Sequence, residues 1–140
     1  MLLALLASFA LAGPAVAPDA PAWQPPGLPV CSNVALLVKY DYAYVQQHIC
    51  ELCGKSDPNA CEFDWPANDV PSCSDFDEMR NGIYAYYGRA FETEKWKAHF
   101  ASKPWYRVNP HYSDALLSKE AQRNVAVLKA IADSGSACTK

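Results

Sequence analysis

The six cysteines of this 140-residue chain constrain its fold more than any other feature. They are Cys31, Cys50, Cys53, Cys61, Cys73 and Cys138. If all six pair as disulfides, the first five cannot pair completely among themselves, so Cys138 must bond to one of them. The sequence leaves open which of the fifteen possible pairings of six cysteines forms. We therefore predict that the C-terminus is held against the N-terminal half and that both halves fold as one unit.

The N-terminus indicates that these cysteines reach an oxidising environment. Residues 1–12 form an uncharged apolar run, too short to cross the ~30 Å hydrocarbon core of a bilayer. The small residues Ala10 and Ala12 make a cleavage site before Gly13, which is typical of a secretory signal peptide. We expect a secreted protein, periplasmic or extracellular, in which the cysteines form three disulfides.

Two other interpretations of the cysteines are open. Cys50 and Cys53 are separated by two residues, the spacing with which two thiolates bind one zinc ion, and Cys61 and Cys73 would complete a tetrahedral site. The same pair would also suit a redox-active motif. Neither the second C-x-x-C that makes a zinc signal specific nor a strand-then-helix context is present. We therefore favour disulfides and predict no metal site and no cofactor.

The charge balance bears on the partners of the chain. It has 12 basic and 15 acidic residues, a net charge of −3, and no basic run. Such a chain does not attract nucleic acid or an anionic membrane surface. After the leader, no segment reaches the ~18 apolar residues of a spanning helix. We expect no nucleic-acid partner and no stable membrane insertion once the signal peptide is removed.

Proline separates a linker from the rest of the chain. Residues 13–30 include six of the eleven prolines, at positions 14, 18, 21, 25, 26 and 29. This density blocks helix and sheet and favours an extended linker. Trp23, within this linker, either docks on the domain or is solvated.

Apolar periodicity predicts a long first helix in the cysteine-rich segment, residues 31–73. Asn33 can cap a helix that runs to Leu52 with apolar residues three and four apart, and Gly54 stops it. Residues 57–71 contain turn residues and prolines, which predict a loop held by its cysteines.

Three further helices are predicted in residues 74–138. Ser74 caps the first, which ends at Gly88, and its buried stripe is Phe76, Met79, Ile83 and Tyr87. Thr93 caps a short second helix that ends before Pro104. The predicted fold class is mainly α: a small disulfide-stapled domain of about four helices with a loop-rich cysteine segment.

The last predicted helix follows an extended segment and a turn. Residues 105–108 are expected to be extended, and Asn109-Pro110 turns the chain. Ser118 and Glu120 open the helix, and Gly135 ends it.

Aromatic residues and a glycine form a five-residue motif, Tyr84-Ala85-Tyr86-Tyr87-Gly88. The residues that accompany it are Arg80-Asn81, Phe91, Phe100, Pro104-Trp105-Tyr106, Leu117-Ser118, Glu120 and Asn124. In this order and spacing, residues 74–132 resemble the YARHG domain, an extracellular bacterial module, and residues 74–138 are expected to form a YARHG-like domain packed with residues 31–73. Tyr86 and Tyr87 replace the Arg and His of the family motif. The resemblance implies export and association with the cell envelope, sometimes beside peptidase or wall-binding domains.

Two sets of residues are candidates for a site. The polar set is Arg80, Asn81, Glu120 and Asn124, for which we predict a structural network around an Arg80–Glu120 ion pair, because buried charges persist when they are paired. The aromatic set is Tyr86, Tyr87, Trp105, Tyr106 and Tyr112, whose rings suit stacking on a sugar or gripping a peptide. The alternatives are a ligand site for the first set and core filling for the second.

Catalysis has less support than binding. The chain has three histidines, at positions 48, 99 and 111, and lacks the common nucleophile, metalloprotease and phosphate-loop motifs. We predict a non-catalytic binding or adaptor module of the bacterial cell envelope, whose partner is an envelope glycan or protein. The alternatives are a disulfide-stabilised structural protein and a small cell-wall hydrolase, which would need a histidine and a carboxylate to converge in a pocket.

Overall fold

Helices make up the regular structure of the described residues. The structure, a computed structural model, describes residues 22–55, 72–135 and 138. The elements are α1 (Asn33–Leu37), α2 (Tyr42–Leu52), α3 (Cys73–Tyr86), α4 (Glu94–Ala101), a 3-10 helix (Asp114–Leu116) and α5 (Lys119–Ser134). No β-strand forms in these ranges, which confirms the mainly α fold. The predicted signal peptide, the first part of the linker and the loop of residues 57–71 lie outside the described residues.

The single helix predicted for residues 33–52 is wrong, because α1 and α2 are separate. Asn124 of α5 donates from Nδ2 to the carbonyl oxygens of Leu37 (2.7 Å) and Tyr40 (2.8 Å). Its Oδ1 accepts a hydrogen bond from the N–H of Tyr42 (2.7 Å). A continuous helix would satisfy these backbone groups within itself. Here the buried side-chain amide of Asn124, on another helix, satisfies them. The spacing of apolar residues within one segment cannot indicate such a contact.

Two predicted helix starts lie slightly off the observed ones. The side chain of Ser32, not Asn33, caps α1. At α3, the hydroxyl of Ser72 accepts from the N–H of Asp75 (3.3 Å), and the Asp75 carboxylate accepts from the N–H of Ser72 (2.7 Å). This reciprocal capping box replaces the predicted cap at Ser74, and it satisfies two backbone N–H groups at once.

The predicted helix ends are confirmed. Gly54, Gly88 and Gly135 all have positive φ, at 62°, 82° and 60°, and they follow α2, α3 and α5. The start of α4 after Thr93 and its end before Pro104 are also as predicted. Residues 105–108 carry no regular secondary structure.

The core lies between the antiparallel pair α3 and α5 and the short helices α1 and α2. The Cys73–Cys138 disulfide joins one end of the pair, and at the other end the Tyr87 hydroxyl accepts a hydrogen bond from the N–H of Ser118 (3.1 Å). The side chains with no exposed surface include Leu37, Val45, Ile83, Ala121 and Leu128. These residues come from four helices, so one hydrophobic core unites both halves of the described chain.

The disulfides agree with the expectation that Cys138 bonds to one of the first five cysteines. The two that lie within the described residues are Cys31–Cys53 and Cys73–Cys138. Cys50 is also disulfide-bonded, and Cys61 lies outside the described residues. The prediction that Cys138 bonds back to one of the first five cysteines is therefore confirmed. Because Cys53 and Cys73 are oxidised, they cannot serve as thiolate ligands of the zinc site considered above.

The described part of the linker contacts the domain. Residues 22–30 have no helix or strand. Trp23 is half-buried, and its Nε1 lies so close to Gly88 that a Cβ there would be 3.0 Å from it. The docked alternative for Trp23 is therefore the observed one. Within the described ranges, no helix has the length and apolarity that a transmembrane segment requires.

Candidate functional site

The five residues of the aromatic set do not form one surface. Tyr86 and Tyr87 pack on the helical core, with ring centroids 5.2 Å apart in an edge-to-face arrangement. Trp105 and Tyr106 belong to a cluster of rings around Phe100. Tyr112 lies apart from both groups, in a cleft that contains several cationic residues.

Tyr86 and Tyr87 have structural contacts that explain their position. Burial raises the pKa of Tyr86, and the neighbouring Tyr87 adds to this effect. The Tyr87 hydroxyl bonds to the first turn of α5 through the N–H of Ser118. Both side chains are only partly buried, so each keeps part of its surface exposed.

The ring cluster around Phe100 joins α4 to the segment that follows it. Phe100 is 1% exposed, and its ring stacks on Phe91 with a centroid distance of 4.7 Å. The Tyr106 hydroxyl donates to the carbonyl oxygen of Arg89 (2.7 Å), and burial raises the pKa of Tyr106. Trp105 packs edge-on against Phe100 at 6.2 Å and keeps part of its surface exposed. The cluster is thus a second, aromatic core.

The predicted polar set is divided between different places. Arg80 pairs with Asp77 on its own helix (3.1 Å), and Asn81 donates to the Asp77 carbonyl oxygen (2.8 Å). The predicted Arg80–Glu120 ion pair is wrong, because α3 and α5 are antiparallel. Glu120 lies in the first turn of α5, at the end of the pair opposite to the disulfide, whereas Arg80 lies midway along α3. Asn124 instead holds the connection between α1 and α2.

Several polar and aromatic residues converge in a cleft of about 700 Å³ beside α3, the start of α4 and the middle of α5. We call it the arginine cleft and define it by Arg80, Tyr84, Arg89, Trp96, Tyr112 and Lys129. Arg80 of the polar set and Tyr112 of the aromatic set both lie in it.

Arg89 is the cation of the arginine cleft whose charge is not paired. Its guanidinium carbon lies 4.5 Å from the centroid of the Tyr84 ring, within the range of a cation–π contact. It forms no ion pair with the residues that the structure describes. By contrast, Arg80 is paired with Asp77, and Lys129 is paired with the carboxylate four residues further along α5.

Tyr112 responds to the charge of Arg89. Burial raises the pKa of Tyr112, and the hydrogen bond from its hydroxyl to Asp114 raises the pKa further. The positive charge of Arg89 opposes this shift. The Tyr112 hydroxyl is therefore a neutral donor near neutral pH, and it lies close enough to Arg89 to be affected by it.

Arg80 leaves one donor without a partner. Its Nη2 contacts Asp77, but its Nε is buried and has no hydrogen-bond acceptor among the described residues. A buried donor without an acceptor costs roughly 1–3 kcal/mol. An unsatisfied buried donor in a native structure requires an explanation, and Arg80 is one of the residues that line the arginine cleft.

A second cleft, of about 330 Å³, lies between α1, α3 and α4 and is partly walled by Trp105. His99 Nε2 lies 3.2 Å from Glu78 Oε1 in this cleft, although the two groups are not aligned as a hydrogen bond. The two residues come from different helices, and no local motif signals their contact. A histidine and a carboxylate do converge here, as a hydrolase would require.

Two exposed aromatic residues lie outside the aromatic set. Tyr40 and Tyr44 are 37% and 44% exposed, and their rings stack at 5.8 Å. His48 continues the stack at 4.3 Å from Tyr44. Tyr44 and His48 are four residues apart on α2, and this spacing was the available signal, since residues four apart share one helix face. Tyr40 lies in the connection before α2.

Residues 65–133 match the family model of the YARHG domain. The match covers α3, α4, all of α5 except its last residue, and all residues that define the arginine cleft. It leaves out α1, α2 and Cys138. No curated protein and no solved structure matches the chain.

Proposed function

Because residues 65–133 belong to the YARHG family, we propose that this chain is an exported, non-catalytic binding or adaptor module of the bacterial cell envelope. The family is an extracellular type of module, and disulfides persist in oxidising compartments. Both findings support an envelope location.

The arginine cleft is the observation that supports binding. It combines an unpaired guanidinium with aromatic walls, namely Tyr84, Trp96 and Tyr112. Its volume of about 700 Å³ is in the range of small-ligand sites. Aromatic walls provide apolar contact area, and a few charged groups orient a ligand. The partner in this proposal is an envelope glycan or an envelope protein segment.

The test is co-sedimentation of the oxidised protein with purified peptidoglycan. We expect the wild-type protein to be retained and Arg89→Gln to be lost into the supernatant. Arg107→Gln is the matched control, because Arg107 is an exposed arginine that lies outside the arginine cleft. Retention no better than that of an unrelated acidic protein would exclude the glycan partner. Crosslinking in whole cells would then test the protein partner.

A small cell-wall hydrolase is the second candidate, and the His99–Glu78 contact favours it. In such an enzyme the pair would move a proton during attack by water. Loss of turbidity of a peptidoglycan suspension measures this activity. Activity of the wild-type protein that Glu78→Gln abolishes would support the hydrolase and replace the proposal above.

A disulfide-stabilised structural protein of the envelope is the remaining alternative. It is favoured by the packing of Tyr86 and Tyr87 against the core, where the rings serve the fold. This role predicts no saturable binding to any envelope component.

A further inference from the structure

We infer that the arginine cleft recognises a carboxylate group on a small ligand and that Arg89 holds this carboxylate. The inference rests on the proposed binding function and specifies the chemistry of the ligand. Its two possible sources are the free C-terminal end of a peptide and an acidic sugar, which share the carboxylate.

The geometry of Arg89 suits a planar anion. Its guanidinium uses one face on the Tyr84 ring at 4.5 Å. The N–H donors of a guanidinium lie at its edge, in a fork that matches the two oxygens of a carboxylate. A stacked guanidinium is already oriented, so less side-chain entropy is lost when a ligand binds.

The charges around the cleft favour a single negative charge. Arg80 and Lys129 are neutralised by carboxylates on their own helices, and Glu92 lies in the lining of the cleft. Of the three cations that line the cleft, only Arg89 has no carboxylate partner among the described residues. The nearby carboxylates would repel a phosphate dianion, and Arg89 alone would be left to compensate its two negative charges. A carboxylate carries a single negative charge and therefore fits the cleft better.

The walls of the cleft describe the rest of the ligand. Tyr84, Trp96 and Tyr112 give flat apolar surfaces, and the neutral Tyr112 hydroxyl adds a polar group at the wall. A carboxylate attached to a short apolar or ring-shaped group would fill such a space. A peptide terminus with small side chains and a uronic acid both have this form.

The experiment is an NMR titration of the oxidised protein labelled with ¹⁵N. The peptide probes are N-acetyl-Ala-Ala with a free carboxylate and the same peptide as its C-terminal amide. The sugar probes are glucuronate and glucose. We expect one acid of the two pairs, or both, to shift the Arg89 Nε–H and Trp96 indole N–H signals. The neutral member of that pair should bind at least about tenfold more weakly, because it cannot accept two charge-assisted bonds.

The two pairs identify the source of the carboxylate. Binding of the peptide acid alone identifies a peptide end, and binding of glucuronate alone identifies an acidic sugar. Equal binding of an acid and its neutral match would overturn the inference, as would the absence of binding by both acids.

Two substitutions test the role of Arg89. Arg89→Gln should abolish acid binding, and Arg89→Lys should weaken it several-fold, because lysine keeps the charge but loses the fork. Arg107→Gln should bind like the wild type. The ¹⁵N spectrum of each variant checks that the fold is retained, and Arg89→Lys serves as the test if Arg89→Gln does not fold. Unchanged affinity in the folded Arg89 variants would overturn the inference.

The failure of this inference can be distinguished from the failure of the proposed function. Retention on peptidoglycan without binding of any acid would leave the binding function standing and remove its carboxylate specificity. Binding of an acid without retention on envelope material would leave the carboxylate specificity of the cleft standing and remove the proposed binding to the envelope.

Discussion

At the scale of single residues, Asn124 holds the connection between α1 and α2. Its side chain is 1% exposed and bonds to three backbone groups between α1 and α2. Asn124 was predictable from the sequence as a structural polar residue. Its partners were not predictable, because they lie more than 80 positions away in the sequence.

Asn124→Ala should destabilise the protein by about 2–4 kcal/mol, because each stranded buried backbone group costs roughly 1–3 kcal/mol and water can reach some of them. Urea denaturation of the disulfide-intact protein measures this change. The control is Arg123→Ala on the same helix, whose exposed contact with Asp41 (3.5 Å) should contribute no more than about 1 kcal/mol. Similar unfolding midpoints for the two variants would contradict the role assigned to the amide.

At the scale of elements, the end of α3 is fixed by a close backbone approach. Gly88 has φ +82°, and its carbonyl oxygen accepts a hydrogen bond from the N–H of Asn109 (2.8 Å). A Cβ on Gly88 would lie 2.5 Å from the Asn109 Cβ. The sequence predicted Gly88 as a helix terminator from local chemistry alone. The approach of Asn109 depends on how α4 and its ring cluster turn the chain back, which no local pattern contains.

Gly88→Ala should therefore lower the free energy of unfolding by more than the cost of the left-handed backbone conformation alone. Gly54→Ala is the matched control, because Gly54 also has positive φ (62°) and no atom of the described residues lies within 4 Å of an added Cβ. We expect both variants to lose roughly 1–2 kcal/mol from the left-handed conformation. Gly88→Ala should lose roughly 1–3 kcal/mol more from overpacking. Thermal unfolding measures both, and equal losses would show that Asn109 moves away at no cost.

The ring cluster gives a second test at this scale. Phe100 is 1% exposed among other rings, so Phe100→Ala should destabilise the protein by about 3–5 kcal/mol. Val108→Ala, at a residue that is 51% exposed, should change stability by no more than about 0.5 kcal/mol. Guanidinium denaturation compares the two. A small loss at Phe100 would mean that the cluster closes over the cavity.

At the scale of the whole molecule, the number of cysteines predicted how the two ends of the domain are joined. Counting alone required a bond between Cys138 and the first part of the chain, and the Cys73–Cys138 disulfide meets that requirement. The clefts were not predictable in this way. Each of them joins residues from different helices, and their contacts depend on packing that one sequence does not reveal. The family resemblance located the right helices and left the sites within them open.

The two described disulfides should contribute unequally to stability. They link residues 65 and 22 positions apart. In the chain-entropy model the longer loop contributes more, by about 1 kcal/mol, within a typical range of ~2–4 kcal/mol for each bond. Replacing Cys73 and Cys138 with alanine should therefore lower the free energy of unfolding more than replacing Cys31 and Cys53. Urea denaturation tests this order, and the reverse order would mean that native-state effects outweigh loop length.

The three hydrogen bonds of Asn124 bear on whether the region that matches the family model can be excised from this chain. An excised fragment of residues 65–133 would keep the amide but lose all three backbone groups that it binds. It would also lose Cys138 and uncover the flank of α3 and α5 on which α1 rests. We therefore expect the fragment to be much less stable than the whole chain, and a fusion or crystallisation fragment should carry both halves.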